Sequence, residues 1–157
     1  MVTTNAMRQL KAAKIPFDVR EYEVDENDLS GVHIAQSLGI SADCMFKTLV
    51  ARGESGEIYV FCIPAASELD LKKCAVLVRE KKIEMVHVKE LLSLTGYIRG
   101  GCSPVGMKKK YPTYMDETAT LFSPIYVSAG VRGAQLVIDP EVLAQFAQIT
   151  FADLTKI

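Results

Sequence analysis

Three segments of this chain have residue types and spacings that suit chemistry. Met45-Phe46-Lys47-Thr48-Leu49-Val50 sets one lysine inside an apolar run. Gly100-Gly101-Cys102-Ser103-Pro104-Val105-Gly106 and Ser128-Ala129-Gly130-Val131-Arg132-Gly133 are two glycine-rich loops further along. Glycine lets main chain approach a ligand closely and turn its N–H groups inward. A lysine held beside such loops can meet a phosphate or a polarised carbonyl oxygen. The combination suits recognition of a small ester or phosphate better than a purely structural module.

Each segment alone also has a plainer reading. On an alternating strand Lys47 and Leu49 point one way, and Phe46, Thr48 and Val50 the other. Lys47 is then either a lysine on a solvated face or, if both faces are covered, a cation that needs an anion, a carbonyl or a ligand. The first loop alone is a turn between elements, and the second alone is a hairpin loop. Neither is a Walker loop or a dinucleotide fingerprint. Two such loops in one small chain raise the odds of a binding site.

Other chemistries find less support. Cys44, Cys62, Cys74 and Cys102 match no zinc spacing, and neither His33 nor His87 lies beside a cysteine pair. They read as free thiols. Cys102 is the one expected to be exposed, because it sits in a glycine loop, but it has no local base to activate it. Ser103 and Ser128 lack a histidine partner and a nucleophile elbow. Asp70, Asp116 and Asp139 read as caps and turn residues. A hydrolase built on this chain would work without a covalent protein nucleophile. The run Lys108-Lys109-Lys110 reads as a solvated cluster or as a phosphate-contacting patch that Arg99, Arg132, Lys72 and Lys73 would widen.

The elements that must position these residues follow from local signals. A chain of 157 residues, 49% hydrophobic and 24% charged, is long enough for one domain with a real core. Thr3 or Thr4 caps a helix to Ala13, and Phe17–Tyr22 alternates as a strand. Ser30 caps a second helix that ends at Leu38, with Gly39 just past it. Strands are expected at Met45–Ala51 and Ile58–Ile63, joined by the turn Gly53-Glu54-Ser55-Gly56. Asp70 caps a helix to about Arg79. A short strand at 83–86 and a short helix at 89–94 lead to the first glycine loop. Strands at 113–115, 125–127 and 134–138 surround the second, and Asp139 or Pro140 opens the last main helix. Ile149-Thr150-Phe151 adds an edge strand. The mixture lacks a strict βαβ rhythm, which predicts an α+β fold with a largely antiparallel or mixed sheet.

The net charge of −1 and a pI near 6.1 leave any nucleic-acid contact to a local patch. No apolar stretch is long enough to cross a membrane. The segment Met1-Val2-Thr3-Thr4-Asn5 has no basic region followed by an apolar block, so no signal peptide is expected and the default location is cytoplasmic.

Four motifs in series carry a family resemblance: Met45–Val50; Leu69-Asp70-Leu71-Lys72-Lys73; Gly96-Tyr97 with Gly100–Gly106; and Ile125–Gly133. In this order and spacing the chain resembles the YbaK family, related to the editing domain of bacterial prolyl-tRNA synthetases. The resemblance spans roughly residues 4–154 and implies one editing-type domain over 1–157. It implies a compact mixed α/β fold with a barrel-like sheet flanked by helices, no metal and no cofactor. The implied activity is hydrolysis of the ester in a mischarged aminoacyl-tRNA, foremost Cys-tRNA(Pro). Alternatives are an Ala-tRNA(Pro) deacylase, or a non-catalytic module that binds tRNA ends or a synthetase. The implied partners are the aminoacylated end of tRNA and prolyl-tRNA synthetase.

By the same resemblance Lys47 matches the family's essential lysine, Thr48 follows it, and the Tyr22 hydroxyl lines the pocket. Gly101, Ser103 and Pro104 match the loop that holds the aminoacyl end, and Ser128, Gly130 and Gly133 match the second loop. Lys108, Lys109, Lys110 and Arg132 are the expected tRNA contacts. Two positions depart from the family pattern. Leu29-Ser30 stands where some relatives carry an aromatic, and Gln135 stands where the best-known cysteine editors have an aspartate. Both positions bear on which amino acid is selected.

Overall fold

The computed structural model describes residues 3–156; Met1 and Val2, part of the segment read for a leader, and Ile157 lie outside them. Thirteen elements follow in order: α1 (Asn5–Ala12), β1 (Asp18–Glu21), α2 (Gly31–Leu38), β2 (Met45–Gly53), β3 (Ile58–Pro64), α3 (Leu71–Val78), β4 (Ile83–Met85), α4 (Val88–Thr95), β5 (Thr113–Asp116), β6 (Ile125–Ser128), β7 (Ala134–Ile138), α5 (Pro140–Ala147) and β8 (Ile149–Ala152). Two short 3₁₀ turns, Ala42–Cys44 and Glu117–Leu121, complete the list.

Helix starts are set by side-chain caps. Thr4, Ser30, Asp70 and Asp139 accept from main-chain N–H groups of the first turns of α1, α2, α3 and α5. Each such cap contributes about 1 kcal/mol. Left-handed residues close α2 at Gly39 and α4 at Gly96. Asp116, buried, caps the turn that follows β5 and also accepts from Leu154 N–H at 3.0 Å. The carboxylates read as caps are therefore caps.

The sheet runs β1-β7-β6-β2-β3-β5-β8, with β4 added on β2. Four pairings are antiparallel (β1·β7, β2·β3, β2·β4, β6·β7) and three are parallel (β2·β6, β3·β5, β5·β8). The architecture is α+β with a mixed sheet, as expected. In one detail it differs, because the barrel-like sheet stays open. β1 bonds only to β7 and β8 only to β5, and β4 occupies the far half of one β2 edge, so the ladder branches instead of closing on itself.

Alternation along β2 feeds two layers. Phe46 and Val50 enter the main core with Val60, Met115, Val127 and Leu136. On the opposite face Met45 packs against α2 through Ile34, Ala35 and Leu38, and Leu49 and Ala51 pack with Phe61, Ile63 and Cys74. Both faces of β2 are covered, which removes the solvated-face reading of Lys47.

Candidate active site

β2 is paired unequally on its two edges. Against β3 it forms an unbroken ladder from Phe46–Pro64 to Arg52–Ile58. On its other edge it pairs with β6 only at Met45–Tyr126 and Phe46–Val127, and with β4 only from Ala51–Met85 to Gly53–Ile83. Between these contacts the two neighbouring strands diverge, and a cavity of about 370 Å³ occupies the gap. Its lining comes from both faces of the sheet. Lys47, Thr48 and Leu49 form its floor, Ser128 and Gln135 one wall, and Val86, Val88 and Leu91 the other. Gly100, Cys102 and Arg99 come from the first glycine loop, and Leu29, Ser30 and Gly31 from the start of α2. A volume of this order suits a small organic group rather than a peptide segment.

Lys47 is half-buried in this cavity, and its ammonium has no ion-pair or hydrogen-bond partner among the described residues. Burial strips water from the ammonium and lowers its pKa, while the charge of Glu68 opposes that shift. The carboxylate of Glu68 is itself 3.4 Å from Lys156. An unpaired, partly dehydrated cation is the feature expected of an anion-binding site.

Gln135 supplies the second unmatched group. The residue is 2% exposed, and its Oε1 has no hydrogen-bond partner. A buried acceptor left empty costs about 1–3 kcal/mol. It lies on the cavity wall, where a ligand's donor can satisfy it. Thr48 Oγ1 lies 3.7 Å from Cys62 Sγ, on the core side of the gap.

The two glycine loops touch main chain to main chain. A Cβ on Gly101 would sit 3.2 Å from the backbone of Val131 and Arg132. Tyr97 stands between them as a post. Its hydroxyl donates to Val105 O at 2.6 Å, and a Cβ on Gly130, whose φ is +99°, would meet its ring at 2.9 Å. Thr4 Oγ1 donates to Ala129 O at 2.6 Å, tying the helix start to the second loop. Arg132 crosses to the first loop, donating from Nε to Arg99 O at 2.8 Å and from Nη1 to Glu26 at 3.0 Å.

Of the residues expected at the site, Lys47, Thr48, Ser128 and Gln135 line the cavity. Gly101, Gly130 and Gly133 shape the loops behind it without lining it. Tyr22 does not line it: the residue packs against the cluster of Ile34, Ala35, Leu38, Met45 and Ala65, and its N–H donates to Gly133 O at 2.9 Å. Ser103 is fully buried and accepts from Val105 N–H at 3.2 Å, so it holds the loop and offers nothing to a ligand. Pro104 lines a second, smaller cavity with Lys109 and Lys110, and Lys108 borders a third hollow near Gly96. Lys72 and Lys73 lie in the first turn of α3, where Lys73 is committed to Asp153 and Thr155 O. Cys102 overturns its expected exposure: it is 8% exposed, and burial pushes its thiol up to about 12. Leu29 and Ser30, noted as a departure from the family pattern, line the cavity, whereas the β4–α4 wall carries no local chemical signal and was missed. Ala65 was missed as well; it stands so close to Gly31 that a Cβ there would fall 2.8 Å from it.

Comparisons with known proteins agree with this arrangement. Residues 30–146 match the aminoacyl-tRNA editing domain family. The chain is 47% identical over 152 residues to an Enterococcus faecalis (strain ATCC 700802 / V583) protein named "Putative Cys-tRNA(Pro)/Cys-tRNA(Cys) deacylase EbsC", covering 97% of this chain and 93% of that one. It is 26% identical to the uncharacterized protein YwhH of Bacillus subtilis (strain 168), covering 82% and 83%. Among solved structures it superposes with a TM-score of 0.84 and 26% identity, over the whole of both chains, on one described as "a putative trans-editing enzyme for prolyl tRNA synthetase". The hypothetical protein APE2540 shares the fold at a TM-score of 0.89 and 22% identity, over 98% of this chain and all of that one. The matched segment contains both glycine loops and every cavity-lining residue except Leu29, and the chain belongs to the aminoacyl-tRNA editing domain family.

Proposed function

We propose that this protein is a trans-editing deacylase that hydrolyses the ester of mischarged aminoacyl-tRNA, with Cys-tRNA(Pro) as its foremost substrate. The observation that carries the reading is the unpaired, half-buried Lys47 in a cavity sized for a small group. The terminal adenosine enters near the glycine loops with the aminoacyl group ahead of it. Lys47 sets its charge against the substrate's terminal phosphate or against the ester oxygen as it becomes an oxyanion.

Water, or the substrate's own thiol, adds to the ester carbon while the ribose oxygen leaves and takes up the nucleophile's proton. Water releases the free amino acid directly. Thiol attack first gives a thiolactone, which water then opens. Neither route needs a protein nucleophile, which suits a cavity whose one thiol, Cys102, is held protonated by burial. Holding the reacting groups together lowers the barrier by several kcal/mol, on the order of the gain from proximity alone. The Gln135 oxygen accepts from the substrate side chain.

The chain's net charge of −1 argues for modest affinity for tRNA alone. A prolyl-tRNA synthetase partner would supply the remainder. The test is a deacylation panel of cysteinyl, alanyl and prolyl esters on tRNA(Pro), run with and without the synthetase. Preferential release of cysteine, lost in Lys47→Ala with the fold intact, is the expected result. Near-normal turnover by that variant overturns the assignment, and preference for alanine replaces cysteine as the substrate.

A further inference from the structure

The bare stretch of β2 has a main-chain consequence beyond its side chains. The Val50 carbonyl accepts the Val86 N–H across the gap edge at 3.1 Å, and the Met45 carbonyl accepts the Ala65 N–H on the β3 side at 2.7 Å. Main-chain groups alternate edges along a strand. The N–H and C=O of Thr48 therefore face the gap, away from β3. The last rung to β6 is Phe46–Val127 and the first to β4 is Ala51–Met85, so neither strand reaches Thr48. No loop or side-chain bond satisfies its N–H among the described residues. One donor and one acceptor thus stand side by side on the cavity floor.

We propose that Thr48 offers its main chain as a single antiparallel rung to the aminoacyl part of the substrate. Its N–H donates to the ester carbonyl oxygen, and its C=O accepts from the α-ammonium. An aminoacyl ester carries an amine and a carbonyl on one Cα, the same pair that two residues exchange in a hydrogen-bonded antiparallel rung. The gap admits no longer occupant. Four residues of strand span roughly 13 Å, and β6 and β4 close the two ends, so a peptide strand cannot run through. The rung reads the invariant part of any aminoacyl group and leaves side-chain choice to the walls. The N–H bond strengthens as the carbonyl oxygen gains charge, so it acts on the transition state.

The proposal rests on the editing reading, and its test separates the two. Proline fits a strand where its missing N–H faces no neighbour, and Lys47 already has the extended conformation that proline demands of the preceding residue. Thr48→Pro is expected to keep a cooperative thermal transition and to lose roughly 10²–10³-fold in kcat for cysteinyl-tRNA(Pro). Thr48→Ala keeps the N–H and is expected to lose less than roughly tenfold, the scale of one hydroxyl contact. Turnover by Thr48→Pro within threefold of Thr48→Ala overturns the rung. If Thr48→Pro fails to fold, the α-hydroxy acid analogue of threonine installed at position 48 removes the same N–H and is judged by the same comparison.

A second readout uses 3′-deoxy-3′-(cysteinylamino)adenosine, whose amide link is not hydrolysed by an esterase. Binding weakened roughly tenfold or more in the N–H-deleted protein sustains the rung, even if the wild type proves to hydrolyse no aminoacyl-tRNA and the editing reading falls. Equal binding by both proteins, or binding by neither, overturns it.

Discussion

Lysines line several hollows of this protein, and the cavity of Lys47 and that of Lys109 and Lys110 differ in what surrounds the charge. At the larger, Lys47 sits on a central strand with both faces of the sheet covered, and burial lowers its pKa. At the smaller, of about 230 Å³, Lys109 and Lys110 stand on an exposed stretch after the first glycine loop, and both are exposed. Water and salt screen the second pair, and a Debye length of about 8 Å limits their reach. Lys47 is screened far less. Number of charges is therefore a poor guide to function here; the number of water molecules that a charge has lost is the better one.

The largest effect that would break this contrast is at Lys47. Lys47→Met is expected to lower kcat/KM roughly 10²–10³-fold or more, the scale of one preorganised electrostatic contact. Its folded-state pKa lies below the unfolded value, so the charged lysine costs stability up to the folded pKa, and that cost fades as pH rises toward the unfolded value. The Met variant should thus have an equal or higher Tm at neutral pH, as expected when a site residue is held at the expense of stability. A lower Tm would mean that Lys47 is structural. For the same reason the alkaline limb of the wild-type rate, corrected for spontaneous ester hydrolysis, should begin below the pH at which an exposed lysine titrates. A limb at the ordinary value would place the ammonium in free water.

The next effect concerns the loops. Gly101→Ala puts a methyl 3.2 Å from the Val131 and Arg132 main chain and should push the second loop, with Ser128, away from the cavity. The expected cost is about 1–3 kcal/mol of stability, measured by denaturant unfolding, with at least a roughly tenfold loss of turnover. Unchanged values would show that the loops do not need their close contact.

Replacing Lys108, Lys109 and Lys110 together by alanine should act more gently. KM for tRNA should rise a few-fold at low salt, with a log–log salt slope shallower by up to roughly 2, and kcat should hold. A collapse of kcat would put the exposed lysines on a par with Lys47. The smallest effect is expected from iodoacetamide at pH 7, because burial pushes the thiols of Cys62, Cys74 and Cys102 up to about 12. Mass spectrometry should find these three unmodified in the folded protein.

Local structure was legible wherever one residue's chemistry decides it. Thr4, Ser30, Asp70 and Asp139 are caps because a short polar side chain reaches its own helix's free N–H groups, and Gly39 ends α2 because glycine accepts φ of +68°. The mixed α+β sheet followed from the same order of elements. The family resemblance pointed to Lys47, Thr48, Ser128 and Gln135, and these line the cavity. It also pointed to Tyr22 and Ser103, whose partners turn out to be the protein's own hydrophobic cluster and backbone. Cys102 misled because a glycine-flanked residue reads as exposed, although here the loop folds inward and covers it.

The sequence by itself determined the elements, their caps, and a lone lysine inside a largely apolar run, since these depend on residues a few positions apart. Only the tertiary structure decided that β6 and β4, far apart in the chain, would pair with the two ends of one β2 edge and leave its middle open. That choice strips water from Lys47, empties Gln135 Oε1 of partners and bares the Thr48 main chain. Desolvation and unmet hydrogen bonds are properties of what packs nearby, and no window of sequence contains that information.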